Sequence, residues 1–304
     1  HADIEHIHGF CDRFAFDALI PIGQAGPGDH AYGPRQEGWS AIAAGLVSGR
    51  GQDMPYEFNI RPATDDKPYF SQFLTVRSLA RLKAVYGGRA IPFFELGYLI
   101  LILATVLVSL LAVVLILLPL VKAKPGRPLS TLLYFGGLGT GFLFLEIALI
   151  QHALMYLGAP MYAAAIAIGG LLFFSGCGSL ASDAMRKAYR IVPACIAGVI
   201  LIYALVLAPL ISRTCAPPMT ARVLIWLLAI APLAFCLGMP FPMGIARLPQ
   251  RDVPWAWGVN GCLSVVSAPL ANIIAVELGF TWLMILSGLA YAVAWLGRDV
   301  KRYA

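Results

Sequence analysis

The sequence predicts an all-α membrane protein, a bundle of about seven transmembrane helices preceded by a small soluble segment, and three observations carry that prediction. The first is composition. Of 304 residues, 59% are hydrophobic and 12% charged, with a mean hydropathy of +0.77, whereas soluble domains run at roughly 45–50% apolar and ~25% charged. The second is that from Ile91 onward seven windows are apolar over about the 20 residues that a bilayer crossing needs. The third is a change of character near residue 90. The first ninety residues hold four of the five histidines and turn-rich stretches such as GQAGPGDH and YGPRQEG. The chain therefore divides into a soluble segment, 1–90, and a transmembrane helical domain, 91–304.

The opening HADIEHIHGF lacks an initiator Met, a basic n-region and an apolar core, so it reads as the interior of a longer chain rather than a signal peptide. One helical pattern stands out in the soluble segment, GWSAIAAGLVSG. His6 and His8, with Asp3 or Glu5, are weak metal-ligand candidates without a second cluster, and no metal site is assigned. The spans follow at Phe94–Val121, Thr131–Leu157, Met161–Ser182, Ile191–Ile211, Arg222–Ile245, Trp255–Leu278 and Thr281–Gly297. Their links are short and carry Pro, Gly, Lys and Arg; only LGFTW joins two helices with almost no link. In lipid every backbone amide must be bonded within its own segment, so the spans are helices and they pack together.

Charge is topological. The net charge is +6 and the pI about 9.1, yet Lys and Arg cluster at the ends of apolar runs, where they meet headgroups rather than nucleic acid. With seven crossings, Lys122, Lys124, Arg127, Arg186, Lys187, Arg190, Arg247, Arg251, Arg298, Lys301 and Arg302 share one side, eleven in all, against six on the other. The positive-inside rule then puts the C-terminus in the cytoplasm. Four cysteines, Cys177, Cys195, Cys236 and Cys262, lie in apolar runs with no C-x-x-C spacing, and read as small buried thiols.

The helices carry packing signals. Gly137, Gly141 and Ala148 share a face of the second span; Ala163, Ala167, Gly170 and then SGCGS mark the third. Asn260, Ser264, Ser267 and Ala271 form a small and polar stripe on the sixth, suited to interhelical hydrogen bonds or to lining a substrate path. Pro209, Pro232, Pro240, Pro242 and Pro269 are expected to break three later spans. APMYAAAIAIGG and VPWAWGVNGCLS, about 94 positions apart, hint at an inverted repeat of spans two to four and five to seven.

Six residues are the candidate ligand-binding or intramembrane polar sites: Glu146, Asn260, Ser264, Asn272, Asp65 and Asp66. Glu146 lies inside GFLFLEIALIQ, and a charged group at mid-span costs at least about 2.5–3.5 kcal/mol to insert, so it should face the bundle and find a partner, with Asn260 and Ser264 the first choice. It is either a structural hydrogen-bond anchor or a proton or cation site. Asp65 and Asp66 in ATDDKPYF either cap a helix or pair with Arg61, or form an acidic clamp for a cationic polyamine with Tyr69 and Phe70 as walls.

Five stretches, NIRPATDDKPYFSQFL, GLGTGFLFLEIALIQHALMYLG, FFSGCGSLAS, GMPFPMGIARL and PWAWGVNGCLSVVSAPLA, occur in an order that resembles the C-terminal membrane half of spermidine-synthase-like (polyamine aminopropyltransferase-like) proteins. The resemblance implies that residues before Asn59 are the tail of an α/β, Rossmann-like domain. The glycine-rich nucleotide turn and the acids that such catalysis needs are not identifiable. No catalytic residue is assigned, and the chain alone is expected to hold no cofactor; decarboxylated S-adenosylmethionine enters only through an intact upstream domain. The implied function is a multi-spanning membrane module that anchors or serves a soluble domain and moves a small cation or metabolite. The alternatives are part of a membrane-bound enzyme with catalytic residues upstream, and a structural subunit of a larger complex. Expected partners are the lipid bilayer, the chain's own upstream domain or other membrane subunits, and the expected location is a bacterial cytoplasmic membrane.

Overall fold

A computed structural model describes residues 63–69, 72, 74–76, 96–118, 126 and 128–297. The chain forms two compact units, His1–Pro62 with Phe73–Ala90, and Ala63–Gln72 with Ile91–Ala304. Nearly all described residues belong to the second unit; GWSAIAAGLVSG, His6 and His8 lie outside the described residues.

Among the described residues every regular element is helical. They are α1 (Leu96–Ala112, continued by a π-helical turn, Val113–Leu117), α2 (Pro128–Leu157), α3 (Pro160–Ala181), α4 (Val192–Arg213), α5 (Met219–Leu237), α6 (Pro240–Ile245), α7 (Val253–Leu278) and α8 (Phe280–Leu296). Among the described residues six spans are long and apolar enough to cross a membrane, α5 and α6 together making one. The 17-residue α8 is shorter, about 25 Å, but runs antiparallel to α2 over much of its depth. Phe280 stacks on His152 at 5.7 Å, Ser287 Oγ donates to the Gly141 carbonyl at 2.6 Å, and Gly297 abuts the Tyr134 backbone.

The central helix is α2, and glycine makes it so. A side chain at Gly137 would meet the Ala290 carbonyl and Ala294 of α8, and one at Gly139 would meet Asn260 and Ser264 of α7. Two different faces of one helix thus admit a neighbouring backbone at close range. The pairing of α3 with α5 is tighter: a Cβ at Gly178 would overlap the Phe235 carbonyl oxygen, and one at Gly238 would overlap that of Ser175. By contrast α1 has a window only 6% buried, and Leu103, Val106 and Leu115 on it are exposed.

Polar contacts sort the helix ends into two groups. At one end Gly126 N donates to Asp252 Oδ1 at 3.3 Å and Arg247 Nη2 to the Arg186 carbonyl at 3.1 Å, so the links before α2, α4 and α7 meet there. These links carry eight of the thirteen Lys and Arg in residues 91–304. At the other end Tyr156 OH donates to the Thr214 carbonyl at 3.1 Å and Arg222 Nη1 to the Tyr156 carbonyl at 2.7 Å. The single-residue link Gly279 also lies at this end, where Phe280 stacks on His152. Helices α2 and α7 are therefore parallel, as a full alternation of crossings requires. Exchange of α2–α4 with α5–α8 would interchange the α3–α5 and α2–α7 contacts, and both are extensive; the α2–α8, α2–α3 and α7–α8 contacts have little or no counterpart in the α4–α5, α5–α7 and α3–α4 pairs.

Two expectations are corrected. Helices α4, α5 and α7 run through Pro209, Pro232 and Pro269 without ending, and the only interruption in the fifth span falls at Gly238–Met239, just before Pro240. Neighbouring groups and small local adjustments absorb a missing N–H in lipid, so proline is a weaker stop signal there than in water. Cys195 is exposed, and Cys177 and Cys236 are half-buried, leaving only Cys262 of the four buried. A helix in lipid is apolar all round, so hydropathy does not separate its packed face from its lipid face.

Candidate functional site

Helix α8 begins without a cap of its own. Its N-cap position is Gly279, which has no side chain to receive the orphan amides of the first turn. The cap arrives from far away in the chain. Asp66 accepts the Phe280 amide on its backbone carbonyl at 3.1 Å, and its Oδ1 accepts both the Thr281 amide at 2.7 Å and the Thr281 hydroxyl at 2.8 Å. Gly279 has φ +100°, and any Cβ there would run into the Asp66 carboxylate. Glycine is required on both counts.

The neighbouring residue completes a clasp across the α7–α8 corner. Lys67 Nζ donates to the Glu277 carbonyl at 2.8 Å, in the last turn of α7. Asp66 thus sits at a helix N-terminus and Lys67 at a helix C-terminus, each matched to the partial charge it faces. A tight turn sets the two side chains: Lys67 N donates to the Thr64 carbonyl at 2.9 Å and Thr64 N to the Lys67 carbonyl at 3.2 Å, and the isolated bridge between them is the only strand-like pairing among the described residues. Tyr69 packs its ring on Phe280 at 6.0 Å, and burial pushes its phenol up to about 12. On the far side of α7, Tyr98 of α1 donates to Glu277 Oε1.

Of the two predicted acids, Asp66 is committed to the helix cap and Asp65 is exposed at the tip of the turn. Phe70 and Arg61 lie outside the described residues. The sequence reading missed Thr281, Glu277 and Tyr98. The one available signal was that LGFTW opens a helix with glycine where Ser, Thr, Asp or Asn would ordinarily stand, so a cap had to come from elsewhere.

The intramembrane candidates lie along the α2–α7 seam. Asn260 Nδ2 donates to the Phe135 carbonyl at 3.0 Å, and Ser264 packs against Gly139. Ser267 and Ala271 are buried further along the same stripe. Asn272 turns back to its own helix, donating to Ala268 at 3.1 Å. Glu146 is half-buried. It lies seven residues beyond Gly139, so helical geometry gives it the same α7-facing side about 10 Å further along. There it is level with Ser267 and Ala271 rather than with Asn260 and Ser264, which serve Phe135 and Gly139. Among the described residues no hydrogen bond or ion pair to the Glu146 carboxyl is present. His152, six residues further along α2, donates from Nδ1 to the Ala148 carbonyl at 2.8 Å.

Among the described residues no cluster of His, Cys, Asp and Glu is arranged to hold a metal. No protein-family model, curated protein or solved structure matches the chain. The likeness to spermidine-synthase-like proteins therefore rests on the five sequence stretches alone.

Proposed function

We propose that the chain is a multi-spanning membrane module of a spermidine-synthase-like protein, whose task is to anchor an extramembrane domain to the membrane. The observation that supports this most is the Asp66–Lys67 clasp. A segment continuous with residues 1–62 has its own turn, then spends a carboxylate and an ammonium on the termini of two different helices. A passive linker would have no need of such fastening. The basic end faces the cytoplasm by the positive-inside rule, in a bacterial cytoplasmic membrane, which places the clasp on the outer face.

Glu146 favours a second role, passage of a proton or small cation. A mid-span carboxyl on the central helix, without a hydrogen-bond or ion-pair partner among the described residues, is the kind of group that titrates or binds cargo.

Hydrogen exchange on the full chain in lipid nanodiscs tests the anchoring role. Asp66→Ala should speed exchange across 63–69 and the first turn of α8 at least tenfold, and unchanged exchange would contradict it. Flux tests the cargo role. Vesicles carrying the chain should show proton-linked uptake of putrescine that Glu146→Gln abolishes; equal uptake by both would remove that role while leaving the anchor standing.

A further inference from the structure

The basic end of the bundle contains a cavity of about 200 Å³ lined by Arg186, Lys187, Met243, Ala246 and Arg247. This is more than ten times the space one water needs. Its walls come from two links that are far apart in sequence: Arg186 and Lys187 from the 3₁₀ turn Arg186–Ala188, and the other three from the end of α6 and the residues that follow it. Three cations thus converge on one hollow. Asp183 is the acid beside them, paired with Arg186 at 3.0 Å on an exposed edge.

Arg247 is held in place before any ligand arrives. Its guanidinium lies 4.1 Å from the centre of the Tyr189 ring, and its Nη2 donates to the Arg186 carbonyl. Tyr189 is itself buried and stacks with Tyr134 at 5.5 Å, and Tyr134 OH is fixed to the Pro240 carbonyl at 2.7 Å. An arginine stacked and bonded in this way loses little freedom on meeting an anion, and its remaining N–H groups suit phosphate oxygens. Met243 is buried and with Ala246 gives the hollow an apolar wall, the surface that the carbon part of a phosphodiester would need.

We propose that this cavity binds a phosphate group, supplied either by the headgroup of an anionic phospholipid or by free phosphate. The location at the end of the spans, where basic pockets between helices meet headgroups, agrees with this chemistry.

The test uses the full chain in phosphatidylcholine nanodiscs with titrated phosphatidylglycerol, and separately in detergent with inorganic phosphate, reading bound ligand by native mass spectrometry. Arg247→Gln and Lys187→Gln should each weaken binding at least tenfold. Arg190→Gln removes the same charge from the same link without touching the cavity, and should change binding less than twofold. Lys187 makes no side-chain hydrogen bond or ion pair among the described residues, so its variant reports binding even if Arg247→Gln disturbs the fold. Phosphatidylglycerol binding that inorganic phosphate does not displace identifies a lipid site; displacement, or phosphate binding alone, identifies a phosphate site. If neither ligand binds, or Arg190→Gln is as damaging as Lys187→Gln, the ligand sees only surface charge and the proposal is overturned.

Discussion

Gly178→Ala offers the sharpest test of how α3 and α5 are joined. The hydrogen that a Cβ would replace points at the Phe235 carbonyl, and the added carbon would stand 2.8 Å from the carbonyl carbon, where roughly 3.5–4.0 Å is ordinary. The helices would have to part by about 1 Å. That forfeits two reciprocal Cα–H···O contacts, the second running from Gly238 to Ser175, at about 0.5–1 kcal/mol each, and overpacking of this kind adds about 1–3 kcal/mol. Better helix propensity of Ala returns up to about 1 kcal/mol, leaving a net loss of about 2 kcal/mol. Reversible unfolding in mixed micelles, followed by circular dichroism, measures it. Gly169→Ala and Gly176→Ala are controls on the same helix, since neither position has anything within 4 Å, and both should be neutral or slightly stabilising. The double variant Gly178→Ala/Gly238→Ala should cost less than the sum of the singles, because the first substitution already separates the pair. If Gly178→Ala is as stable as Gly176→Ala, the close approach of these helices is wrong.

Other outcomes follow from the clasp and the seam. Asp66→Ala should cost about 1–2 kcal/mol through loss of the cap, and Gly279→Ala should cost at least as much because φ +100° and the Asp66 carboxylate both oppose a Cβ; the same micelle unfolding reads both. Because burial raises the Tyr69 phenol to about 12 from about 10 in the unfolded chain, its neutral form supports the fold. That contribution is whole below pH 10, falls as pH climbs through about 12, and should vanish in Tyr69→Phe, as a phenolate absorbance titration would show. Asn260→Ala should cost about 0.6–1.7 kcal/mol by freeing the Phe135 carbonyl. Asn272→Ala, whose amide bonds only its own helix, should cost less than Asn260→Ala in the same assay.

The spans were legible because hydropathy over twenty residues is a long, redundant signal, and the glycine faces of α2 and α3 were legible because small residues recur at helical spacing. Cys195 shows where that legibility stops: lipid and protein interior ask for the same side chains, so exposure is invisible in the sequence. The prolines mislead for a related reason, since a bundle in lipid tolerates what a soluble helix would not. Asp66 could be read as a cap, but not its client, because Thr281 lies 215 residues away and no local pattern connects them. Glu146 was visible at once as an anomaly. Its surroundings were not, because the register of α2 against α7 is fixed by Gly136 and Gly139 rather than by the carboxylate itself.

The clasp can be tested most directly by cross-linking. In a chain with its native cysteines replaced, Asp66→Cys combined with Thr281→Cys should form an intramolecular disulfide on mild oxidation in intact membranes, seen as a reductant-sensitive mobility shift. Asp65→Cys with Thr281→Cys should do so far more slowly, since Asp65 is turned outward at the tip of the turn. If both pairs cross-link at the same slow rate, or neither forms, residues 63–69 are not fastened to the α7–α8 corner and the anchoring role fails with them.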